Sequence, residues 1–211
     1  MNKPKLVITA DDYGMSPLFN QGIEELALVK LITGISVMIR RPFIETAKLN
    51  FPNLSLGLHL ELEELSSIKE IENQIISFRD KFGMLPAYLD GHQHKHLTSG
   101  NLALIIEAAR KFHLPVRSRF QEDRRILREQ FIVTPDNFIS WHPTRTTTLA
   151  KRLRSTQAFP ISELVVHPGY FDPTCDYPYN QERESELVFL KSPSFQELVT
   201  LFELTSYSAI A

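Results

Sequence analysis

The amino-acid sequence predicts an α/β protein that closes as a small or incomplete (β/α) barrel of about seven parallel strands. Short apolar runs alternate along the chain with longer segments of helical period, which is typical of repeated strand–helix units. The first run, Leu6 to Ala10, is almost wholly apolar, as expected for a parallel strand that is covered on both faces. The chain has 211 residues, 43% of them hydrophobic, which suits one globular domain over residues 1–211.

The first half of the chain contains four predicted strands, each followed by a helical segment. Ser16 and Pro17 indicate the start of the first helix, because serine is a good N-cap and proline is favoured in the first turn. The third helix carries apolar residues at intervals of three and four. The predicted strands are residues 6–10, 33–39, 54–62 and 87–92, and the predicted helices are residues 17–30, 43–49, 66–82 and 101–113.

The second half continues the alternation with more polar segments. A charged helix separates two further strands, and a seventh strand follows a polar helix. Near the carboxyl end, Ser194 and Glu197 stand three residues apart, the spacing of a capping box at a helix start. The predicted strands are residues 115–120, 131–134 and 162–167, and the predicted helices are residues 122–130, 146–154, 183–191 and 194–203.

The charge balance and the apolar pattern argue against several classes of protein. Lys plus Arg total 23 and Asp plus Glu total 25, so the net charge is −2. Nucleic acids and anionic membranes reward a strong cationic surplus, so we expect neither as a partner. No apolar run approaches the length of a secretory signal or of a membrane span. The single cysteine, Cys175, cannot close an intrachain disulfide, so we expect a cytoplasmic protein.

Two adjacent carboxylates, Asp11 and Asp12, directly follow the first predicted strand. A buried strand that ends in this pair must deliver both groups to solvent, a metal or a substrate. Like charges this close are costly without a cation, which favours a metal site. The structural alternative, in which one of them caps the next helix, is less favoured because Ser16 fills that position better.

The third predicted strand, residues 54–62, alternates strictly between leucine and other residues. Period-two alternation places the leucines on one face, which we expect to pack beneath helices. Ser55, Gly57, His59 and Glu61 share the other face, which would look into a barrel or cleft. A single histidine is more often structural than functional, but His59 lies late in the strand and opposite the leucine face, so we interpret it as a site residue.

A third cluster contains one aspartate and three histidines at intervals of two: Asp90, His92, His94 and His96. If the strand persists, they share one face, and a turn after it can still bring several of them together. Imidazole is the commonest ligand of divalent transition metals, and His-x-His is a recurring ligand spacing. The spacing does not select which of the three histidines binds.

A weaker feature is His167, which ends an apolar strand and precedes the turn residues Pro168 and Gly169. Taken singly it fits a core histidine as well as a functional one. Together with three other strand ends that carry polar groups, it becomes a candidate proton donor.

Four segments together resemble the signatures of the YdjC-like (ChbG/HpnK) carbohydrate deacetylases. They are Thr-Ala-Asp-Asp-Tyr-Gly at 9–14, Gly-Leu-His-Leu at 57–60, Asp-Gly-His-Gln-His-Lys-His at 90–96 and Val-His-Pro-Gly-Tyr at 166–170. Their order and spacing match over most of the chain. The resemblance implies a distorted, incomplete, TIM-barrel-like (β/α) fold and the hydrolysis of N-acetyl groups on amino sugars. It also implies a divalent metal, Mg²⁺ first and Zn²⁺ as the alternative.

Position by position, the resemblance implies that Asp12, His59 and His92 hold the metal and that Asp11 is the general base. His167 stands where related polysaccharide deacetylases keep a histidine acid. Five further residues are expected to contact the sugar: Asp90, His94, His96, Arg117 and Tyr170. For His94 and His96 the alternative is a supporting position behind the metal ligands. For Arg117 the alternative is pairing with a carboxylate, and for Tyr170 it is packing against the barrel rim.

The chain departs from the family pattern in two respects. Little more than a helix lies between Glu61 and Ala87, where longer relatives carry additional loop, which bears on the choice of sugar. Its first motif has Thr-Ala and Asp-Tyr, where Asn-Ala and Asp-Phe are commoner.

Two other functions compete with this interpretation. One competing function is a barrel metallophosphoesterase or amidohydrolase, which would release phosphate. The other is a non-catalytic sugar-binding relative, although every position that the chemistry needs is occupied. The sequence leaves the oligomeric state open, a homodimer included.

Overall fold

Seven parallel strands form one sheet in the structure, a computed structural model that describes residues 3–140 and 146–211. The strands are β1 (Lys5–Tyr13), β2 (Gly34–Val37), β3 (Ser55–Leu60), β4 (Leu89–Gly91), β5 (Asn137–Ser140), β6 (Ile161–Val166) and β7 (Glu203–Leu204). Their order is β4-β3-β2-β1-β6-β5, and the short β7 pairs with the start of β1. Every pairing is parallel. The described sheet curls into a half-barrel, and the predicted incomplete α/β barrel is confirmed.

Seven α-helices connect or follow the strands of the described chain. They are α1 (Pro17–Leu28), α2 (Ile68–Phe82), α3 (Leu102–Phe112), α4 (Gln121–Glu129), α5 (Thr146–Ser155), α6 (Glu182–Leu190) and α7 (Pro193–Val199). Ser16 caps α1 as predicted, since its hydroxyl accepts from the backbone N–H groups of Leu18 and Phe19. None of the described helices combines the length and the apolar character that crossing a bilayer requires.

The apolar residues predicted to face the helices form the core. The leucines of the alternating third strand are buried from Leu56 onward, and Leu54 is partly buried. The apolar residues of α2 at positions 71, 75 and 78 are buried as well. The opposite face of β3 points into the half-barrel, where the ring of Tyr88 covers Gly57 so closely that no side chain would fit. The alternation therefore places core residues on one face of the strand and site residues on the other, as the sequence predicts.

Two predicted strands are wrong, residues 115–120 and 131–134. The first makes a single bridge, Val116 with Leu89. Beyond that bridge, the backbone N–H groups of Arg119 and Phe120 donate to the carboxylate of Asp123. These N–H groups therefore form hydrogen bonds at the start of α4 and not with a neighbouring strand. The strand that flanks β6 is β5, after the predicted segment.

Three further predictions need correction. Residues 43–49 form only a 3₁₀ turn, Thr46–Leu49, rather than a helix. Helix α7 begins at Pro193 with Ser192 as its N-cap, so the predicted capping box of Ser194 and Glu197 does not form there. The chain after Gly91 leaves the strand for a 3₁₀ turn, His92–Leu97, so the three histidines do not share a strand face.

Candidate active site

Polar side chains from four strands meet at the carboxyl edge of the sheet, the edge where α/β folds carry their sites. Asp11 and Asp12 lie at the end of β1, and His59 is the second-last residue of β3. Asp90 is the middle residue of β4. His92 and His167 come directly after β4 and β6. The sequence predicted this gathering from the strand ends, and the structure brings these six residues together.

A β-bulge at the end of β1 explains how two adjacent aspartates reach one site. Three steps along β1, from Ala10 to Tyr13, match only two along β2, so one residue of β1 is extra. Asp12 takes a left-handed conformation there, with φ 71°. Neighbouring side chains of a regular strand point to opposite faces, yet both carboxylates approach His59, at 4.0 Å for Asp11 and 3.3 Å for Asp12.

Three donor atoms converge in the manner of a metal site. Asp12 Oδ1 lies 3.3 Å from His59 Nε2 and 3.1 Å from His92 Nδ1. All three atoms lie within 4.8 Å of one another. One carboxylate oxygen with two imidazole nitrogens is a donor set that divalent cations accept. The residues present therefore fit a divalent cation.

His59 is held in a fixed orientation from behind. Its Nδ1 lies 2.7 Å from Asp90 Oδ1, which turns Nε2 toward Asp12. This carboxylate–imidazole pair is the usual support behind a metal-binding histidine. Burial alone would lower the pKa of His59, but Asp90 and Asp11 raise it well above its ordinary value. The surrounding negative charge thus favours a cation at this point.

Arg117 holds Asp11 with two parallel hydrogen bonds. Its Nη1 donates to Asp11 Oδ2 at 2.7 Å, and its Nη2 donates to Oδ1 at 2.9 Å. Burial alone would raise the pKa of Asp11, but the charges of Arg117 and His59 bring it below its usual range. Asp11 is therefore an anion in a fixed position. Arg117 itself is fully buried, so the structure favours the carboxylate partner over the predicted contact with sugar.

Arg183, on α6, is a site residue that the sequence reasoning missed. Its Nη2 donates to Asp12 Oδ2, which leaves the other oxygen of Asp12 facing the two histidines. The guanidinium lies 3.9 Å from the centre of the Phe19 ring and is fully buried. Its Nη1 has no hydrogen-bond partner among the described residues. No motif surrounds Arg183, and an arginine within a predicted helix gives no signal of a site.

His167 lies on the opposite side of Asp11 from the strand β3. Its Nε2 is 4.0 Å from Asp11 Oδ2, and its side chain keeps 28% of its surface exposed. Burial lowers the pKa of His167. The backbone N–H of His167 donates to Glu186 Oε1 at 2.8 Å, and the hydroxyl of Tyr179 donates to Glu186 Oε2. Burial raises the pKa of Glu186 to about 8.

Two of the predicted sugar contacts are held inside the protein. Asp90 is fully buried and bonds His59, Ser36 and Arg117. His96 is also fully buried, and its Nε2 lies 3.1 Å from the carbonyl oxygen of Arg117. Neither side chain is open to a ligand, so the structure gives both a supporting position instead.

The other two predicted sugar contacts differ from each other. His94 is partly exposed, packs edge-on against Phe138, and has no hydrogen-bond partner for Nδ1 among the described residues. Burial lowers the pKa of His94 to about 3, so its ring is neutral. Tyr170 instead donates its hydroxyl to Glu25 on α1. That contact corresponds to the packing alternative rather than to a sugar platform.

An open cleft of about 390 Å³ adjoins His92. Loops after β1, β2 and β6 form its walls. Its lining residues are Met15, Arg41, Phe43, His92, Asp172, Thr174, Cys175, Asp176 and Tyr177. The ring of Tyr177 lies 5.4 Å from that of His92. An aromatic ring beside a candidate metal ligand is suited to stack on a flat ligand face.

The fold and the site define a (β/α)-barrel protein with a candidate divalent-metal centre at the carboxyl edge of its strands. Residues 5–69 and 67–200 match the family model described as YdjC-like protein. The chain therefore belongs to the YdjC-like family, as its four sequence segments indicated.

Two relatives match nearly the whole chain. A carbohydrate deacetylase of Vibrio cholerae serotype O1 is 25% identical, over 98% of this chain and 96% of the relative. A chitooligosaccharide deacetylase of Proteus mirabilis is also 25% identical, over 92% and 93%. The crystal structure of a protein from Enterococcus faecalis matches with TM-score 0.85 at 25% identity, and the match covers all of both chains.

Proposed function

We propose that this protein is a metal-dependent carbohydrate N-deacetylase, a hydrolase that removes the acetyl group of an acetamido sugar and releases acetate. The observation that carries the proposal is the convergence of Asp12, His59 and His92, with the anion of Asp11 held beside them. The names of the relatives support a sugar substrate, short chitooligosaccharides among them. The location in the cytoplasm and the single domain over residues 1–211 remain predictions from the sequence.

Asp12, His59 and His92 would hold the cation. A divalent cation at this point would polarise the acetamide carbonyl and lower the pKa of a water molecule. The sequence resemblance favours Mg²⁺, and the two imidazole nitrogens suit Zn²⁺. The reloading experiment below distinguishes the two ions.

Asp11 is proposed as the general base. It would take a proton from the attacking water as the water oxygen bonds to the carbonyl carbon. Arg117 holds both oxygens of Asp11 and keeps its carboxylate ionised and aimed. The base is therefore in position before substrate arrives, which reduces the entropic cost of reaching the reactive geometry.

His167 is proposed as the proton donor to the leaving nitrogen. An amine leaves poorly as an anion, so the C–N bond breaks only as the nitrogen gains a proton. Burial lowers the pKa of His167, which makes its protonated form the stronger acid, while the charges of Asp12 and Asp11 favour that protonated form. The 4.0 Å between His167 Nε2 and Asp11 Oδ2 would let the two groups serve one reacting carbon. The products are acetate and the free amino sugar.

The sugar is proposed to lie in the cleft beside His92, with Tyr177 as its aromatic platform. Among the sugar contacts predicted from the sequence, His94 remains a proposal, because part of its surface is exposed. Tyr170 has the least support, since its hydroxyl is occupied by Glu25.

The test is an acetate-release assay on N-acetylglucosamine, N,N′-diacetylchitobiose and related acetamido sugars. The protein is first stripped with a chelator and then reloaded separately with Mg²⁺ and Zn²⁺. We expect acetate from at least one sugar, lost on chelation and restored by one ion. Phosphate release from a sugar phosphate without acetate would favour a phosphoesterase. Tight sugar binding without turnover would favour a non-catalytic relative.

A further inference from the structure

Glu163 lies outside every motif, yet it is a fully buried carboxylate in the middle of the barrel. It is the third residue of β6 and stands in register with Val7 of β1. Its Oε1 accepts from Arg117 Nε at 3.0 Å and from the hydroxyl of Thr9 at 2.9 Å. Its Oε2 accepts from the hydroxyl of Tyr207 at 2.7 Å. A buried carboxylate is costly unless it is fully paired, and this one is.

Glu163 is the partner of the one guanidinium nitrogen of Arg117 that the site carboxylates do not contact. Asp11 binds the two terminal nitrogens and Asp90 also contacts Nη2, while Glu163 binds Nε. Without Glu163, the guanidinium would be held only through its terminal nitrogens. With Glu163, it is held at Nε as well, which restricts its movement and that of Asp11.

Tyr207 in turn fixes Glu163 from the carboxyl-terminal segment. It lies in a 3₁₀ turn, Tyr207–Ala209, and is fully buried. Its ring stacks on Tyr88 at 4.0 Å, which places its hydroxyl firmly on Glu163. Contacts thus run without a break from Tyr207 through Glu163 and Arg117 to Asp11.

We infer that Glu163 and Tyr207 are positioning residues for the base, acting through Arg117. The inference rests on the proposed function in naming Asp11 as the base. Neither residue touches the cleft or the candidate metal ligands among the contacts described. Their loss should therefore reduce the rate of the chemical step and leave both substrate affinity and metal affinity unchanged.

The decisive variant is Tyr207→Phe, which removes one hydroxyl and keeps the stacked ring. The matched control is Thr33→Val, which removes another buried hydroxyl, one that accepts from the backbone N–H of Ile8 on β1. We expect Y207F to lower kcat on the order of tenfold, with KM and the metal Kd from calorimetry unchanged. T33V should lower Tm by about as much as Y207F does and leave kcat at the wild-type value.

Two further readouts separate positioning from general stability. In ¹H–¹⁵N spectra, the Arg117 Nε–H should exchange with solvent faster in Y207F than in the wild type. Its exchange rate in T33V should equal that of the wild type. Glu163→Gln, which keeps an acceptor for Arg117 Nε, should retain more of kcat than Glu163→Ala. If E163A fails to fold, Y207F still decides.

The inference is overturned if Y207F leaves both kcat and Nε–H exchange at their wild-type values, or if T33V lowers kcat as much. A wild-type protein that releases no acetate would overturn the proposed function instead. The Nε–H exchange would then still decide whether Tyr207 and Glu163 position Arg117.

Discussion

His59 Nδ1 lies 2.7 Å from Asp90 Oδ1, and this contact turns the opposite ring nitrogen toward Asp12. Asp90 contributes charge as well as direction, because it raises the pKa of His59. A carboxylate behind a metal-binding histidine strengthens that histidine as a ligand. The pair explains why Asp90 is buried behind the site and does not line the cleft.

Replacing Asp90 by Asn should weaken metal binding while the fold persists. The amide keeps the size of the side chain but loses its charge, so we expect metal affinity to fall by about 10- to 100-fold. Calorimetric titration of the chelated protein measures this. The control is Asp136→Asn, because Asp136 serves Arg128 and the backbone of β6 at its amino end. Equal affinities for D90N and the wild type would contradict the role of Asp90.

Asp11→Asn and His59→Ala should separate catalysis from metal binding. D11N removes the proposed base but none of the three converging donor atoms, so we expect lost turnover and retained metal. H59A removes a donor atom and should lose both. Metal content and acetate release are measured on the same preparations. Equal metal loss in the two variants would contradict the proposed division of roles.

Glu186→Gln should stabilise the protein at alkaline pH. The pKa of Glu186 is raised from 4.5 to about 8, so the folded state holds a proton that the unfolded state releases. Its contribution to stability is fully present below pH 4.5 and is lost as the pH rises through 8. Glutamine resembles the protonated acid in size and in carrying no charge, and its amide oxygen can accept from His167 N. The free energy of unfolding of E186Q, relative to that of the wild type, should therefore rise between pH 5 and 9 by on the order of a few kcal/mol.

Urea unfolding at several pH values measures this difference. Glu184→Gln, on the exposed face of the same helix, is the control and should show no such trend. A constant difference between E186Q and the wild type across this range would mean that Glu186 is ionised in the folded protein.

Gly57→Ala should destabilise the protein through a direct clash. A Cβ at position 57 would lie 2.2 Å from the ring of Tyr88, which is itself packed on Tyr207. Because the ring has no room to retreat, we expect a loss of about 1–3 kcal/mol, measured by chemical denaturation. Gly83→Asn is the contrasting variant: Gly83 has φ 71°, which Asn tolerates, and no atom lies within 4 Å of its Cβ position. Equal losses in the two variants would show that the clash is relieved.

Much of the site was predictable because its chemistry follows strand ends. Asp11, Asp12, His59 and His167 each end or nearly end a recognisable apolar strand. In parallel sheets such ends meet at one edge, so their meeting could be predicted without coordinates. The histidine cluster was only partly predictable, because the left-handed conformations of Gln93 and His94 break the alternation. His92 alone of the three contacts Asp12 among the described residues.

The supporting residues were not predictable for a different reason. Arg183 and Glu163 matter through partners far away in the chain: Arg183 and Asp12 are 171 residues apart. A buried charge looks like a surface charge in the sequence until its partner is known. The strand β5 was missed for a related reason, since it is defined by its neighbour β6 more than by its own four residues.

A central strand of this sheet, β1, is the first one in the chain, and two of its three partner strands, β6 and β7, come late in the sequence. Thr9 and its partner Glu163 are 154 residues apart. During synthesis the strand that carries both aspartates therefore waits, with one edge uncovered, until most of the polypeptide has emerged. Contacts of such long range slow folding and lengthen the time in which an unpaired edge can join the wrong neighbour. The site can therefore be complete only after β6 has paired with β1.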